Sequence, residues 1–364
     1  MIYIGNEDIA RLLTPANCIE ALESAFTELS KGRAISRPRT DVFTPCDRPD
    51  GYHRWASMDG AIEPWGVFVT RMKSDIVTWT KQNTEEVHCV QPGTFSGFIM
   101  VFSTRNGEPL AIMNDGALHQ LRVAAGAALG VKYLARKDSS SLGILGSGGM
   151  ARAYLACFRA VRPIEKVRVY SPTKANRDAF ANEMSELHGI SVEAVDRQED
   201  AVRGMDIVAT CTDSTKLVLT DPALIEPGMH IANLSAREVA WEVVQRCDRV
   251  LQVGTETLGP SADDAAERKY YGWATWMIGT PEEIARIPKH PISNNHFLGC
   301  PALTDLMNDP AKGRSSREQI TFFHNLGLLG FQFAAIAAKA WMLARDKGLG
   351  INMPTEPFLQ NIRD

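Results

Sequence analysis

At 364 residues, with 45% hydrophobic and 23% charged residues, the chain has an ordinary globular composition and room for two cored domains. A formal net charge of −4 gives no electrostatic basis for nucleic acid or an anionic membrane as partner. Seven scattered cysteines without C-x-x-C spacing, and eight histidines with no i, i+4 pair, exclude a disulfide frame and any metal signature, and point to a reducing, cytoplasmic setting.

The first residues carry Glu7 and Asp8 where a signal peptide needs basic and then apolar residues. Apolar spacing then predicts one helix over 9–29. From 37 to 109 the pattern changes to short β-like runs at 65–71, 88–90 and 96–102, with Arg105-Asn106-Gly107-Glu108 as a hairpin turn. An Ala-rich helix is expected over 117–136. Strands at 142–145, 166–170, 192–194, 206–211, 230–234 and 249–252 follow, with helices up to 160 and over 174–188 among them. Strands separated by helices predict an α/β fold with a doubly wound parallel sheet. Between 263 and 315 the pattern dissolves into Pro-, Trp- and Asn-containing sequence, and 317–346 reads as helix. The apolar run 326–338 is interrupted by Gln332 and too short to span a bilayer.

One motif carries chemistry by itself. The strand at 142–145 breaks at Gly146-Ser147-Gly148-Gly149-Met150-Ala151 and a helix follows. This is a G-x-G-x-x-A dinucleotide fingerprint in strand-turn-helix context, the mark of a Rossmann domain. Gly146 serves the tight turn, Gly148 lets backbone approach a pyrophosphate, and Ala151 lets helix and strand pack closely. Cys211 and Thr212, after the strand at 206–211, are assigned to the same cofactor. After the second strand, Ser171, Thr173, Lys174 and Arg177 stand where an NAD enzyme usually has an acid for the ribose hydroxyls. Those residues suit a 2′-phosphate, so NADP is expected and NAD is the alternative. They equally suit a solvated, helix-capping turn. The fingerprint alone also admits a Rossmann methyltransferase.

The motifs around it resemble one family. Gly107-Glu108-Pro109-Leu110-Ala111-Ile112, Asp115-Gly116-Ala117-Leu118 and Leu121-Arg122-Val123-Ala124-Ala125 look like the G-E-P-L-A, D-G and L-R-T-A-A run of the ornithine cyclodeaminase/mu-crystallin family. Arg37-Pro38-Arg39-Thr40 resembles its P-x-R segment, and Arg71-Met72-Lys73 its strand ending in lysine. Glu318-Gln319-Ile320-Thr321-Phe322-Phe323 with Leu326-Gly327 resembles its last helix start. The resemblance covers about 1–260 and 314–345, and 263–300 has no clear counterpart. It implies a homodimer with a split α+β substrate-binding and dimerisation domain, 1–125 with 317–364, around an NAD(P)-binding Rossmann domain, 126–316.

The resemblance further implies that an imino or amino acid carboxylate is held by Arg39, Arg122 and Lys73 facing the nicotinamide. Guanidinium forks suit a carboxylate, and a lysine among cations has a lowered pKa and can pass a proton to or from the reacting nitrogen. Lys73 and Arg122 are thus the expected catalytic residues. Three positions depart from the family pattern. Arg237 stands where cyclodeaminases carry an Asp, and reads either as a partner for a second substrate carboxylate or as a salt bridge with Glu238. His324 replaces a lysine. His119 replaces a threonine and shares a helical face with Arg122, as a substrate-facing proton donor or a structural residue. The tryptophans at 55, 65, 79, 273 and 276 either line a pocket or pack the core.

The expected activity is NAD(P)-dependent oxidoreduction of the C–N bond of an imino or amino acid. The alternatives are redox-neutral ornithine cyclodeamination, which a cation at 237 disfavours, and a mu-crystallin-like protein that binds NADP and ligand without turnover.

Overall fold

In the computed structural model, which describes residues 1–79, 85–214, 216–235, 238–255, 274–287, 296–297 and 299–361, the chain builds two sheets with a helix wedged between them. The parallel sheet runs in the order Ser191–Ala194, Lys166–Tyr170, Ser141–Leu145, Ile207–Thr210, His230–Asn233, Thr321–His324, Arg249–Gln252. The chain moves outward from Ser141–Leu145 through two strands, then returns to its other side at Ile207–Thr210. Every pairing in this sheet is parallel. The crevice at the carboxyl ends of these two central strands is the switch point at which doubly wound sheets bind ligands.

The second sheet is mostly antiparallel. Its core is a meander of Thr40–Pro45, Tyr52–Ile62, Val67–Trp79, Ser96–Ser103 and Pro109–Asn114. The hairpin at 105–108 is present, with Gly107 at φ 80°. The predicted runs were too short: Val67–Trp79 is one strand of 13 residues, paired along its length with Tyr52–Ile62. Ile2–Ile4 and Ile351–Asn352 pair at one edge, so the two chain ends meet there.

Three further expectations change. The helix expected over 9–29 is two, Asn6–Leu12 and Pro15–Ser30. Pro15 cannot continue a helix, and Thr14 caps the second one, exchanging bonds with Asn17 at 3.2 and 2.9 Å. The helix expected over 317–346 is a buried strand, Thr321–His324, then a helix, Leu329–Lys347. An apolar run covered on both faces has no period to tell strand from helix. Gly327, at φ 136°, makes the break. The segment 263–315 is not without structure. Ala274–Met277 pairs with Thr40–Pro45, and Pro281–Arg286 and Leu303–Asn308 are helical. Thus 126–316 lends a strand to the antiparallel sheet, and 317–364 lends one to the parallel sheet.

The helix Gly116–Leu134 lies between the layers, and its small residues are what allow this. A Cβ on Gly130 would collide with the Phe323 ring, and Ala124, Ala125, Ala127 and Ala128 are fully buried. The helix Leu329–Lys347 covers the meander with similar closeness. A Cβ on Gly60 would stand 2.6 Å from the Gly330 carbonyl carbon. Trp79 belongs to a small core with Phe43, Tyr52 and Val77, whereas Trp276 is exposed; Trp273 lies outside the described residues. Among the described residues no helix is long and apolar enough to cross a membrane.

Candidate active site

The fingerprint behaves as its spacing requires. Gly146 has φ 115° and donates its N–H to Tyr170 O at 2.8 Å; a Cβ there would collide with the carbonyl of Cys211. Gly148 is the N-cap of the helix Gly149–Arg159 and no side chain caps it. A Cβ on Gly148 would enter open space, which leaves that backbone free for a pyrophosphate, and the helix N-terminus adds partial positive charge. Ala151 is fully buried. Ser147 donates to the Ser171 hydroxyl at 2.9 Å, while Met150 lies half-buried beside them. This arrangement fits a dinucleotide.

At the ribose side the four expected residues separate. Ser171 is buried at the turn, and Thr173 and Lys174 are exposed at its rim, with Lys174 paired to Asp178 at 2.7 Å. Arg177 is buried; it donates to Ser171 O at 3.0 Å and to Asp196 at 2.5 Å. Its guanidinium is a strut of the loop. On the far side of the switch point, Cys211 N donates to Leu145 O at 2.7 Å, which holds residues 211–212 over the Gly146 turn. Burial pushes the Cys211 thiol well up, so it stays protonated.

The substrate-side residues converge. Arg71, Lys73 and Asp75 alternate along one strand and so share a face, and Arg54 stands opposite Asp75 on the neighbouring strand. Asp75 Oδ2 accepts from Arg54 at 3.0 Å and lies 2.8 Å from Lys73 Nζ. The nearest charged partner of Lys73 is therefore a carboxylate, which corrects the expectation of a lysine among cations alone. Arg39 reaches Asp41 at 2.8 and 2.9 Å. Arg71 donates twice to Asp115, at 2.8 and 2.5 Å. Gly97 makes room for that carboxylate, because a Cβ there would strike it.

Arg122 differs from these. It comes from the helix Gly116–Leu134, and its hydrogen-bond partners among the described residues are neutral, Gln332 Oε1 at 3.4 Å and His119 Nδ1 at 3.4 Å, while the Asp115 carboxylate that Arg71 holds attracts it from beyond ion-pair distance. Its guanidinium lies 4.6 Å from the Phe333 ring centroid, over which Arg71 also sits at 5.3 Å and His119 stacks at 6.0 Å. Burial, then Arg71, lowers the Arg122 pKa. Burial, then Arg122, Arg71, Lys73 and Arg39, holds His119 well below the ordinary histidine value, so it is neutral at neutral pH. His119 is accordingly a hydrogen-bonding group beside Arg122 and a poor acid.

The cationic cluster adjoins the fingerprint. A Cβ on Gly149 would meet the side chain of Gln120, two residues before Arg122. Tyr154, on the fingerprint helix, donates to Asn233 O at 3.3 Å and accepts from Asn325 at 3.1 Å, and Asn325 also donates to Val123 O. Beside them His324, buried, accepts from Asn233 at 3.0 Å and stacks on Phe297 at 3.9 Å; burial holds its pKa down to about 3. Arg237 lies outside the described residues. Its expected alternative partner, Glu238, is buried and accepts five hydrogen bonds from other groups.

Motif reading missed Arg54, Arg71, Asp41, Asp75, Asp115, Gln332 and Phe333. Two of them carried a usable signal, since Arg71 and Asp75 flank Lys73 at strand spacing. Asp41 likewise lies only two residues from Arg39, while the rest are brought in by the pairing of strands and by the helix Leu329–Lys347.

The sequence matches the model of the ornithine cyclodeaminase/mu-crystallin family over residues 4–338, a span that also encloses 263–300. Similar proteins include Delta(1)-pyrroline-2-carboxylate reductases of two Bacillus cereus strains. One is 25% identical and the other 31%, each match covering 96% of this chain and 98% of the relative. Among solved structures, the Thermococcus litoralis Delta(1)-pyrroline-2-carboxylate reductase with NADH and L-proline superposes with a TM-score of 0.75. It is 26% identical and the match covers 97% of this chain and all of that one.

Proposed function

The chain belongs to the ornithine cyclodeaminase/mu-crystallin family, and on that premise we propose that it is a nicotinamide-dependent reductase of a cyclic or N-substituted imino acid, or the reverse amino-acid dehydrogenase. The observation that carries this reading is Arg122: a buried guanidinium with neutral partners, next to the fingerprint helix and stacked on Phe333. An α-carboxylate is the charge such a group lacks, and Arg39 supplies the second side of the clamp. The cofactor, held by 146–151 with Cys211 and Thr212, supplies hydride chemistry at the substrate's Cα. Lys73 Nζ, steadied by Asp75, exchanges a proton with the substrate nitrogen. His119 braces Arg122. A substrate-methylating reading has no support from the family.

NADP is the preferred cofactor in this reading, with Ser171, Thr173 and Lys174 at the 2′-position and NAD as the alternative; Arg177 is spent on the loop. We assign 126–316, completed by the strand Thr321–His324, to the cofactor, and 1–125 with 317–364 to substrate and dimerisation. We also propose a cytoplasmic homodimer, a reading supported by the seven free cysteines and by an exposed apolar sheet face. On that face Ile35 and Phe68 align across the ladder through Ala61, and Phe98 lies nearby.

The test is oxidation of NADPH or NADH, followed by absorbance, across a panel of cyclic ketimines and 2-oxo acids with amines, with amino acids in reverse. Turnover with Lys73→Ala inactive is the expected result. No turnover on any member overturns the reading, and ammonia release from ornithine without net cofactor change replaces it by cyclodeamination.

A further inference from the structure

The mechanism leaves a buried acid, Glu238, unused. Glu238 is fully buried after the strand His230–Asn233, and a buried carboxylate persists only where its lone pairs are filled. Its Oε2 accepts from Thr210 Oγ1 at 2.9 Å, Leu234 N at 2.9 Å and Ser235 N at 2.7 Å. Its Oε1 accepts from Thr212 N at 2.7 Å and Thr212 Oγ1 at 2.9 Å. The donors come from the ends of two neighbouring parallel strands, Ile207–Thr210 and His230–Asn233, at the carboxyl edge of the sheet.

Each strand end leads to a different part of the crevice. On one side Thr212 follows Cys211, whose carbonyl packs on Gly146 so closely that no Cβ fits, and the Gly146 turn faces the pyrophosphate position. On the other side, residues 234–235 follow Asn233. That side chain donates to Ser235 O at 2.9 Å and to His324 at 3.0 Å, and accepts from Asn325 N at 3.0 Å. The Thr212 hydroxyl gives its proton to Glu238 and accepts from Ser214 N at 3.3 Å, so its orientation is fixed.

We propose that Glu238 is a positioning residue for the dinucleotide, a buried carboxylate clasp that sets the spacing of the two loops that follow the neighbouring strands Ile207–Thr210 and His230–Asn233. It touches none of the residues of the Arg39–Lys73–Arg122 clamp. Burial pushes the Glu238 carboxyl up, and the bonds from Thr212, Ser235 and Thr210 pull it back. The inference rests on the nicotinamide-cofactor reading and needs no particular imino acid.

The experiment measures NADPH and NADH affinity of the full-length protein without substrate, by calorimetry, for the wild type, Glu238→Gln and Thr210→Val. The KM for the imino acid at saturating cofactor and the melting temperature are measured in parallel. In Glu238→Gln an amide N–H faces donors, so cofactor Kd is expected to rise about tenfold or more. The substrate KM is expected to change less than about twofold. Thr210→Val removes one hydrogen bond to Glu238 Oε2 at a residue outside the cofactor contacts, for a rise of roughly threefold; it decides the matter if Glu238→Gln does not fold. Wild-type cofactor affinity in both variants overturns the proposal. So does a parallel rise of cofactor Kd and substrate KM with a falling melting temperature, which marks a general structural role. A wild type that binds dinucleotide yet reduces no imino acid defeats the functional reading and leaves this inference standing.

Discussion

Two buried arginines, one beside the parallel sheet and one between the sheets, show how a folded chain distinguishes a guanidinium paired within the fold from one left with neutral partners. Arg177, beside the parallel sheet, places its terminal nitrogens on Asp196 and on the carbonyl of Ser171, at 2.5 and 3.0 Å. Arg122, between the sheets, has two neutral contacts at 3.4 Å and the face of Phe333. Both are less than a tenth exposed. Arg177 has its countercharge within the fold and braces a turn. Arg122 has been desolvated beside another cation, and among the described residues no carboxylate forms an ion pair with it, since nearby Asp115 is taken by Arg71; such an arrangement favours an anionic ligand over stability. The lesson extends to the neighbouring cations. Arg39, Arg71 and Lys73 each contact an aspartate, which keeps several positive charges packed together in the absence of substrate.

The largest test of this contrast is Arg122→Met. Loss of the fork should remove about 2 to 5 kcal/mol of transition-state stabilisation, some 30- to 5,000-fold in kcat/KM. The melting temperature of the ligand-free protein should hold or rise, because a desolvated cation is replaced by an apolar chain of similar length. A marked drop in melting temperature would show that Arg122 is a strut after all. Arg177→Met should do the reverse. Breaking its bonds to Asp196 and the loop carbonyl should cost about 1 to 3 kcal/mol of folding stability, read by denaturant unfolding, with kcat at saturating cofactor near wild type. Loss of NADPH affinity with unchanged stability would instead return Arg177 to the cofactor.

The smallest effect concerns His119. Its folded-state pKa is held below the ordinary 6.5, so as pH falls the unfolded chain takes up this proton before the folded one does. The folded state is then disfavoured from about pH 6.5 downward, by up to about 1.4 kcal/mol per pH unit until the folded pKa is reached. His119→Gln should flatten the stability profile over that window by that amount. An unchanged acid limb would mean that burial and the neighbouring cations do not hold the His119 pKa down.

Much of the parallel sheet was legible because its signals are local. A glycine turn after a short apolar strand, with a small residue three places on, specifies backbone geometry through nearest neighbours. The predicted strands at 166–170 and 249–252 and the helix at 174–188 fall where the structure has them. The strand Thr321–His324 was not legible, since a segment covered on both faces has no polar side to mark its period. In the substrate cluster, Arg39, Lys73 and Arg122 were found by motif. Asp75 was legible only as a residue at strand spacing from Lys73, and Phe333 came from a helix more than 200 residues after Arg122 in the chain.

By itself the sequence determined the family and the dinucleotide turn, and it pointed to the three cations proposed to hold a carboxylate, because each is written in short, contiguous motifs. Which cations have partners, which arginine is a strut and which buried acid joins the two loops were decided only by the tertiary structure. Charge pairing, cross-strand register and burial belong to residues far apart in the chain, and a side chain's surplus or deficit of partners exists only once they have been brought together.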